Sequence, residues 1–396
     1  MSLLATLCVL GIAVALLVLE LRTHFRWMRA LSPRQGPAPL EAYPSITVIR
    51  PVKGLDSGAA ENMRAGLDPG YPGAVQTLFV FDDEQEPAVA TAREAIDEHE
   101  RSGRHGSAEI LFCGAPPPGQ TGKLNAMIKG LEKAGGEVVV FADSDIRTDR
   151  HALRVLVETL LQSPDVGSAF APVIVSEPNR TLGDAVCAIL LNGFYNPPAA
   201  EWVRRCEGEL PFILGQFMAM TREALAATGG LDKVRGQLVD DLYIGQLVQA
   251  AGLRNVCSSH PIRIIQWGRG PRDALNVAAR WFAFSRTGIP DWSFKIPIAV
   301  RAASFWVGAL GALAFTLSGQ GLFAAAYGAL AALVVASVGG LHQRVGGAPL
   351  RGLHWLAPAV AYLVAPIMFA RAYRVRRVSW RGRDYELNDQ GRLASP

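Results

Sequence analysis

The sequence predicts an α/β domain built on a mostly parallel sheet, carried between membrane helices. Strand-like and helix-like segments alternate through the middle of the 396-residue chain, the pattern of a parallel sheet covered by helices on both faces. Long apolar stretches flank this region at both ends, and acidic residues follow several of its strands. Because open α/β sheets bind ligands at the carboxyl ends of their strands, we expect a site at that edge.

The apolar stretch near the N-terminus predicts a membrane anchor. Leu3–Leu21 has a single charge, Glu20, and is long enough to cross a bilayer. It lacks a preceding basic region, and Arg22, Arg26 and Arg29 follow it instead of a small-residue cleavage site, which favours an uncleaved helix over a signal peptide. Further apolar stretches near the C-terminus are Ile296–Leu317, Gly321–Leu341 and Leu353–Ala370.

Composition excludes several classes of protein. Residues are 50% hydrophobic, too many for an ordinary soluble chain. The net charge of +4 does not indicate nucleic-acid binding, because basic residues cluster beside the apolar stretches as the positive-inside rule predicts. Five scattered cysteines without a CxxC motif indicate neither zinc nor a disulfide framework.

The sequence divides into five predicted parts. These are an anchor over 1–22, a Pro-rich linker over 23–44, a globular domain over 45–290, membrane helices over 291–375 and a basic tail over 376–396.

The elements of the globular domain follow from hydrophobic periodicity. Strands are predicted at Ser45–Arg50, Gln76–Phe81, Glu109–Phe112 and Glu137–Ala142. Helices are predicted at Glu86–Ser102 and Lys123–Ala134.

The most informative motif is Asp143-Ser144-Asp145, directly after the last of these strands. Two carboxylates at i and i+2 can reach one Mg²⁺ or Mn²⁺, which prefers oxygen ligands and keeps positions open for a diphosphate. Such a turn in isolation is more often a helix N-cap or an Asx turn. Here Lys53 and the pair Asp82-Asp83 follow two other strands, so polar groups gather at one edge.

Three later segments have both a functional and a structural interpretation. Asp240-Asp241 begins an apolar helix, where the two carboxylates serve either as a helix cap or as catalytic groups. Arg280-Trp281 precedes the membrane segments, where the pair is either an anchor at the membrane interface or part of the predicted ligand site. Leu182–Pro198 has an apolar core too short to span a bilayer, which fits an interfacial helix near a lipid entrance or a buried core helix.

Eight motifs follow one another along the chain: RPVKGLD (Arg50–Asp56), FDDEQEP (Phe81–Pro87), GKLN (Gly122–Asn125), FADSDIR (Phe141–Arg147), GQFMAM (Gly215–Met220), VDDLYIG (Val239–Gly245), ARW (Ala279–Trp281) and VSWRGRDYEL (Val378–Leu387). In this order they resemble the ceramide glucosyltransferases, glycosyltransferase family 21, and bacterial lipid glycosyltransferases of that lineage, including those acting on hopanoids. The resemblance covers about residues 40 to 388 and implies a GT-A fold in a bacterial-type member.

The resemblance also implies residue roles. Asp83 matches the aspartate near the uridine, with Asp82 as the competing choice, and Asp241 matches the general base. The remaining matches are Asp143 with Asp145 for the metal and diphosphate, Arg280 for the leaving diphosphate, Trp281 for the acceptor side, and Lys53, Lys123 and Asn125 around the nucleotide. Val277 departs from the family's Gln or Arg, a contact that Arg272 or Gln266 could replace.

The implied activity is inverting transfer from a UDP-sugar, with UDP-glucose favoured, to a lipid hydroxyl. Ceramide is the favoured acceptor, a hopanoid or diacylglycerol is the alternative, and a processive polysaccharide synthase is the rival class. The resemblance implies a Mg²⁺ or Mn²⁺ cofactor, a bilayer as partner and no nucleic acid. We expect a multi-pass membrane protein with a cytoplasmic catalytic domain, at the inner membrane if bacterial. Because the C-terminal tail is basic, we expect Leu353–Ala370, interrupted by Pro358 and Pro366, to take a re-entrant or interfacial path. The alternative is that all three C-terminal segments cross the bilayer and the tail lies outside despite its charge.

Overall fold

A computed structural model describes residues 3–31, 37–196, 212–284, 295–372, 374–388 and 392–394. The strands are β1 Ile46–Pro51, β2 Val75–Phe81, β3 Ser107–Phe112, β4 Val138–Ala142, β5 Ile146–Arg147, β6 Val166–Phe170, β7 Val173–Val175, β8 Phe217–Thr221, β9 Arg254–Cys257, β10 Ile262–Ile264, β11 Arg377–Trp380 and β12 Arg383–Glu386. The α-helices are α1 Leu3–Ala30, α2 Ala59–Leu67, α3 Val89–Arg101, α4 Gly122–Lys133, α5 Ala152–Leu160, α6 Leu182–Ile189, α7 Arg222–Ala227, α8 Asp240–Ala250, α9 Pro271–Phe284, α10 Lys295–Leu317, α11 Gly321–Arg344 and α12 Ala357–Ala372. A π-helical segment, Leu190–Tyr195, continues α6, and 3₁₀ turns lie at Leu231–Val234 and Gly352–Leu356.

The predicted mostly parallel α/β sheet is confirmed. Seven strands run in the order β3-β2-β1-β4-β8-β6-β9, and only the pairs β4–β8 and β6–β8 are antiparallel. The antiparallel strand β8 was not predicted, since its sequence indicated only the approach to a helix. The carboxyl ends of β1, β2 and β4 therefore share one edge with the amino end of β8.

Burial on both faces explains the unbroken apolar runs of the central strands. Every residue of β4 is buried. On one face Leu124 and Met127 of α4 pack against the sheet, and on the other face Leu156 and Val157 of α5 do so. A strand covered on both sides has no polar face, so its sequence does not alternate.

A buried arginine fixes the turn after β4 from beneath. Arg50 on β1 is 2% exposed, and its guanidinium donates to Ile146 O at 2.8 Å, to Asp143 O at 3.3 Å and to Asn62 O at 3.0 Å. A Cβ at Gly66 would lie 2.1 Å from Arg50 Nη1, so a larger residue at this neighbouring helix position would displace the guanidinium. The backbone at both ends of the Asp143–Asp145 turn is thus held by one side chain.

The apolar helices form a separate layer. Within the described residues, two helices are long and apolar enough to cross a membrane, Leu4–Arg29 and Gly321–Arg344, and shorter apolar helices occur at Ala302–Leu317 and Gly352–Met368. Helix α12 contains Pro366 and packs chiefly on α6 and α9.

Both α1 and α11 end against the globular domain. Trp27 of α1 and Leu341 of α11 form one buried cluster with Ile174 of β7. His342 Nδ1 accepts from Asn192 Nδ2 at 2.9 Å, and Asn192 Oδ1 accepts from Val175 N at 3.0 Å. These contacts attach the apolar layer to the edge of the α/β domain.

Candidate active site

A cavity of about 360 Å³ opens at the carboxyl edge of the sheet. Loops after β1, β2 and β4 form one side, the starts of α4 and α8 form the floor, and α9 with the β11–β12 hairpin closes the rest. The charged residues that line it are Lys53, Asp56, Asp82, Lys123, Asp143, Asp145, Asp240, Asp241, Arg269, Arg280, Arg381 and Arg383. The polar strand ends predicted to meet do meet here.

Lys123 neutralises the acidic centre. Its Nζ lies 2.8 Å from Asp143 Oδ1 and 3.6 Å from Asp240 Oδ2, and it donates to Gly215 O at 3.1 Å. Burial lowers the pKa of Lys123, but the negative charges of Asp143, Asp240 and Asp241 outweigh it and raise that pKa above its usual range. Lys123 therefore stays charged and holds the β4 turn to the start of α8.

Asp241 is oriented by backbone donors. Its Oδ2 accepts from Gly215 N at 2.7 Å and its Oδ1 from Leu242 N at 2.7 Å. Burial and the adjacent charge of Asp240 raise the pKa of Asp241 to about 6, against the opposing effects of Lys123 and the two N–H groups. A fixed carboxylate with a pKa near neutrality suits proton abstraction.

Four charged groups form a network at the ends of β1 and β2. Lys53 Nζ lies 2.7 Å from Asp82 Oδ2 and also contacts Glu86, while Arg383 Nη2 lies 2.6 Å from the same Asp82 oxygen. Burial lowers the pKa of Lys53, but the hydrogen bonds that its ammonium donates to Asp82 and Glu86 outweigh burial and raise that pKa overall. Asp83, by contrast, is exposed outside the cavity, and its Oδ1 accepts from Gln85 N at 2.8 Å.

Asn125 also lies beside the cavity without lining it. Its amide donates to Gly114 O at 3.1 Å and to Cys113 O at 3.3 Å, and its Oδ1 accepts from Gln120 Nε2 at 3.2 Å. These contacts attach α4 to the loop after β3.

Two arginines of the β11–β12 hairpin reach the cavity, and the sequence reasoning missed both. Arg381 contacts Asp56, donates to Lys53 O at 3.3 Å and lies 3.9 Å from Asp145 Oδ2. Tyr385 OH accepts from Gly122 N at 3.3 Å, which joins the hairpin to the start of α4. The signal was the WRGRDY segment, where alternate residues of a hairpin face one side, but its charges were assigned to membrane topology.

Helix α9 supplies the last wall. Arg280 lines the cavity, and its pKa is lowered to about 10 by burial and by the neighbouring charges of Arg269 and Arg381. Trp281 packs against Tyr195 with ring centroids 5.8 Å apart. The positive charges of the clustered arginines beside Asp143 and Asp145 can attract an anionic group.

Comparison with known proteins decides the family. A family model described as "Glycosyl transferase family 21" matches residues 6–393. The chain belongs to glycosyltransferase family 21. The predicted resemblance is confirmed, and the mostly parallel sheet agrees with the predicted GT-A fold.

Relatives of this family 21 member include ceramide glucosyltransferase 1 of Caenorhabditis elegans, 23% identical over 55% of this chain and 45% of that protein. Ceramide glucosyltransferase of Komagataella phaffii is 27% identical over 42% of this chain and 32% of that protein. The matches thus span less than half the length of these relatives. Among solved structures, the Pyrobaculum calidifontis mannosyltransferase PcManGT in complex with GDP-Man and Mn²⁺ has a TM-score of 0.45 at 17% identity, covering 90% of this chain and 99% of that one.

Asp143 and Asp145 fit a divalent cation. Both are carboxylates at one strand end, and burial and the charge of Asp143 raise the pKa of Asp145 to about 6. A cation would relieve that repulsion. Among the described residues, no group of three or more His, Cys, Asp or Glu side chains could hold a metal.

Val277, the position that departs from the family pattern, lies on the cavity wall and is 8% exposed. We expect Val277→Ala to leave the donor KM unchanged, because an apolar side chain makes no polar contact with the donor. Steady-state kinetics of the purified variant measure this. The matched Val277→Gln should tighten donor binding if the helix has the family geometry, and inactivity of a folded Val277→Gln would contradict that geometry.

Proposed function

We propose that the protein transfers a sugar from a UDP-sugar, with UDP-glucose favoured, to a lipid hydroxyl, with inversion. The observation that carries this is one cavity with Asp143 and Asp145 beside clustered arginines on one side and the oriented carboxylate of Asp241 on the other. Ceramide is the favoured acceptor because the curated relatives are named ceramide glucosyltransferases.

The donor's diphosphate fits the cationic side of the cavity. A divalent cation held by Asp143 and Asp145 would neutralise charge on the leaving nucleoside diphosphate. Arg280, Arg381 and Arg383 add positive charge from α9 and the hairpin, in a site partly closed to water. Lys53 and Asp82 line the end nearest β1 and β2, where we place the uridine; Asp82 thereby takes the role that the resemblance gave first to Asp83. Asn125 supports this wall from behind.

Asp241 is the proposed base. The lipid hydroxyl is a weak nucleophile, and a carboxylate within hydrogen-bond reach removes its proton as the bond to the anomeric carbon forms. Lys123 Nζ lies 3.6 Å from Asp240 Oδ2 and offsets part of the negative charge beside Asp241. In this proposal the lipid hydroxyl itself attacks the anomeric carbon while the nucleoside diphosphate leaves from the other side, a direct displacement that inverts the anomeric configuration.

The acceptor fits the apolar side of the cavity. Leu191, Tyr195, Val277 and Trp281 line it there, on the π-helical segment and on α9. These elements pack on α12 and α11 of the apolar layer, so a lipid could reach Asp241 without leaving apolar surroundings. The predicted lipid-entrance segment Leu182–Pro198 contains this π-helical segment; its described part is mostly buried.

The same contacts support a multi-pass membrane location, and we propose that the catalytic domain lies on the cytoplasmic side. Helices α1 and α11 both end at the globular domain, through Trp27 and Leu341. Helix α12 begins after α11, and the hairpin that follows α12 returns to the cavity through Arg381. We propose that α1, α10 and α11 cross the bilayer while α12 stays in the interface on the cytoplasmic side, as Pro366 favours.

The topology predicts where the C-terminal tail lies. In a variant lacking other cysteines, Asn388→Cys should resist a membrane-impermeant thiol reagent in intact cells and react after the membrane is opened, because residue 388 would be cytoplasmic. Leu317→Cys, at the opposite end of α10, is the matched control and should react in intact cells. Labelling of Cys at 388 in intact cells would contradict the model.

A substrate panel tests the function. The purified protein, supplied with Mn²⁺ or Mg²⁺, is incubated with UDP-glucose, UDP-galactose, UDP-N-acetylglucosamine and UDP-glucuronic acid, each with ceramide, diacylglycerol or a hopanoid. We expect glucosylceramide with the anomeric configuration inverted. Transfer to a hopanoid or diacylglycerol alone would move the acceptor assignment, and a polymer made without added lipid would favour the polysaccharide synthase. No transfer from any donor would refute the proposal.

A further inference from the structure

The carboxylate of Asp184 makes more hydrogen bonds than a helix cap requires. It is 5% exposed at the start of α6. Its Oδ2 accepts from Arg180 N and Thr181 N, both at 3.1 Å, while Thr181 Oγ1 accepts from Asp184 N at 2.9 Å, which completes a capping box. The same carboxylate also accepts from Gly268 N at 3.1 Å and from Arg269 N at 2.9 Å. It therefore joins α6 to a segment 84 residues away.

Two neighbours of Asp184 hold the same segment. Thr181 Oγ1 donates to Arg269 O at 2.7 Å. Gly183 packs so closely that an added Cβ would lie 2.3 Å from Arg269 O and 2.8 Å from Gly270 C. The segment Thr181–Asp184 thus holds the backbone of residues 268–270 in place. The hydroxyl of Thr181 and the carboxylate of Asp184 form hydrogen bonds with it, and Gly183 packs closely against it.

Residues 268–270 belong to the loop 265–270, which borders the proposed metal site. The loop begins where Ile265 N donates to Asp145 O at 2.8 Å, and it ends at the start of α9. Gln266 and Arg269 both line the cavity, and the Arg269 guanidinium contacts Gln266 Oε1. Gln266 Nε2 is buried and has no hydrogen-bond partner among the residues that the structure describes. A buried donor of this kind, beside a guanidinium, is suited to an oxygen atom of a ligand.

We propose that Asp184 is a positioning residue, which holds the loop so that Gln266 and Arg269 bind oxygen atoms of the donor's diphosphate-sugar. The inference rests on the proposed function. Asp184 touches no ligand itself, and it acts through the four backbone N–H groups that it accepts from. Because hydrogen bonds to a charged acceptor are stronger than neutral ones, a carboxylate suits this role better than an amide.

The test compares donor kinetics with stability in the purified full chain. Asp184→Asn should lower kcat/KM for the UDP-sugar by at least about 10-fold, chiefly through the donor KM, since small displacements of binding groups are costly. The acceptor KM should not change. The matched control is Asp149→Asn, because Asp149 also accepts from backbone N–H groups, of His151 and Ala152, but lies outside the cavity lining. It should leave the donor KM unchanged.

Three further measurements make the result decisive. On an Arg269→Ala background, Asp184→Asn should cost little more, because residues acting through one another are not additive. Thr181→Val should raise the donor KM, whereas Thr181→Ser, which keeps the hydroxyl, should have the wild-type donor KM. This pair tests the inference even if Asp184→Asn does not fold.

Three outcomes would each overturn the inference: a donor KM within twofold of wild type in folded Asp184→Asn, multiplicative effects with Arg269→Ala, or a change confined to the acceptor KM. Calorimetric titration of wild type with UDP and the substrate panel distinguish the two failures. A wild type that neither binds UDP nor transfers sugar refutes the proposed function and this inference with it, whereas an active wild type with an unchanged donor KM in Asp184→Asn refutes this inference alone.

Discussion

Replacement of Asp143 by alanine should reduce sugar transfer to background. The change removes a carboxylate from the strand end where we place the cation, and it leaves Lys123, 2.8 Å away, without its nearest anion. Leaving-group neutralisation would be lost with the cation. Excess EDTA should have the same effect on the wild-type enzyme, and added Mn²⁺ or Mg²⁺ should restore transfer. Radiolabelled sugar incorporated into lipid is the measurement.

Two controls separate chemistry from folding in this experiment. Asp232→Ala removes an exposed carboxylate paired with Arg235 and should keep full activity. Asp145→Ala should retain more activity than Asp143→Ala, because Arg381 Nη2 already lies 3.9 Å from Asp145 Oδ2 and supplies positive charge there. Full transfer in excess EDTA would show that no divalent cation takes part.

Asp241→Asn should lower kcat by at least about 10²-fold while UDP affinity stays unchanged, because only proton abstraction is removed. An asparagine carbonyl can still accept from Leu242 N at the position of Oδ1, so the start of α8 should persist. Turnover and UDP titration on the same preparation measure the two quantities. Near wild-type turnover in the variant would remove Asp241 from the mechanism.

The pH profile gives a second reading of the same residue. The pKa of Asp241 is raised to about 6, so the carboxylate is protonated below that pH and cannot accept a proton. Wild-type kcat should therefore fall as the pH decreases through about 6 and level off above it. An acidic limb centred near pH 4 would indicate a base in an ordinary environment.

The parallel strands could be predicted from the sequence because each central strand is an apolar run that ends at a polar turn. Strands predicted at Ser45–Arg50 and Gln76–Phe81 are observed at Ile46–Pro51 and Val75–Phe81. The antiparallel strand Phe217–Thr221 was not foreseen, because an apolar run does not encode the direction of its partner. Local pattern gave the elements, whereas the order of the sheet depends on contacts distant in sequence.

The site was predictable to the extent that its residues end a strand or begin a helix. Asp143, Asp145 and Asp241 do so and line the cavity. The choice between Asp82 and Asp83 was open because a one-residue shift in a turn moves a side chain from the cavity to solvent. Asp184 could not be recognised, since its sequence matches an ordinary capping box and its second set of donors comes from a remote loop.

The hairpin with Arg381 and Arg383 also sets the order in which the site can be made. These residues follow α10, α11 and α12 in the chain, so a ribosome completes the α/β domain well before it reaches them. A nascent chain would hold Asp56 and Asp82 without their arginine partners until the apolar helices had been synthesised. If these arginines bind the donor as proposed, a nascent chain would bind the UDP-sugar weakly until the hairpin is synthesised. Hydrolysis of the UDP-sugar by incomplete chains would be low for the same reason.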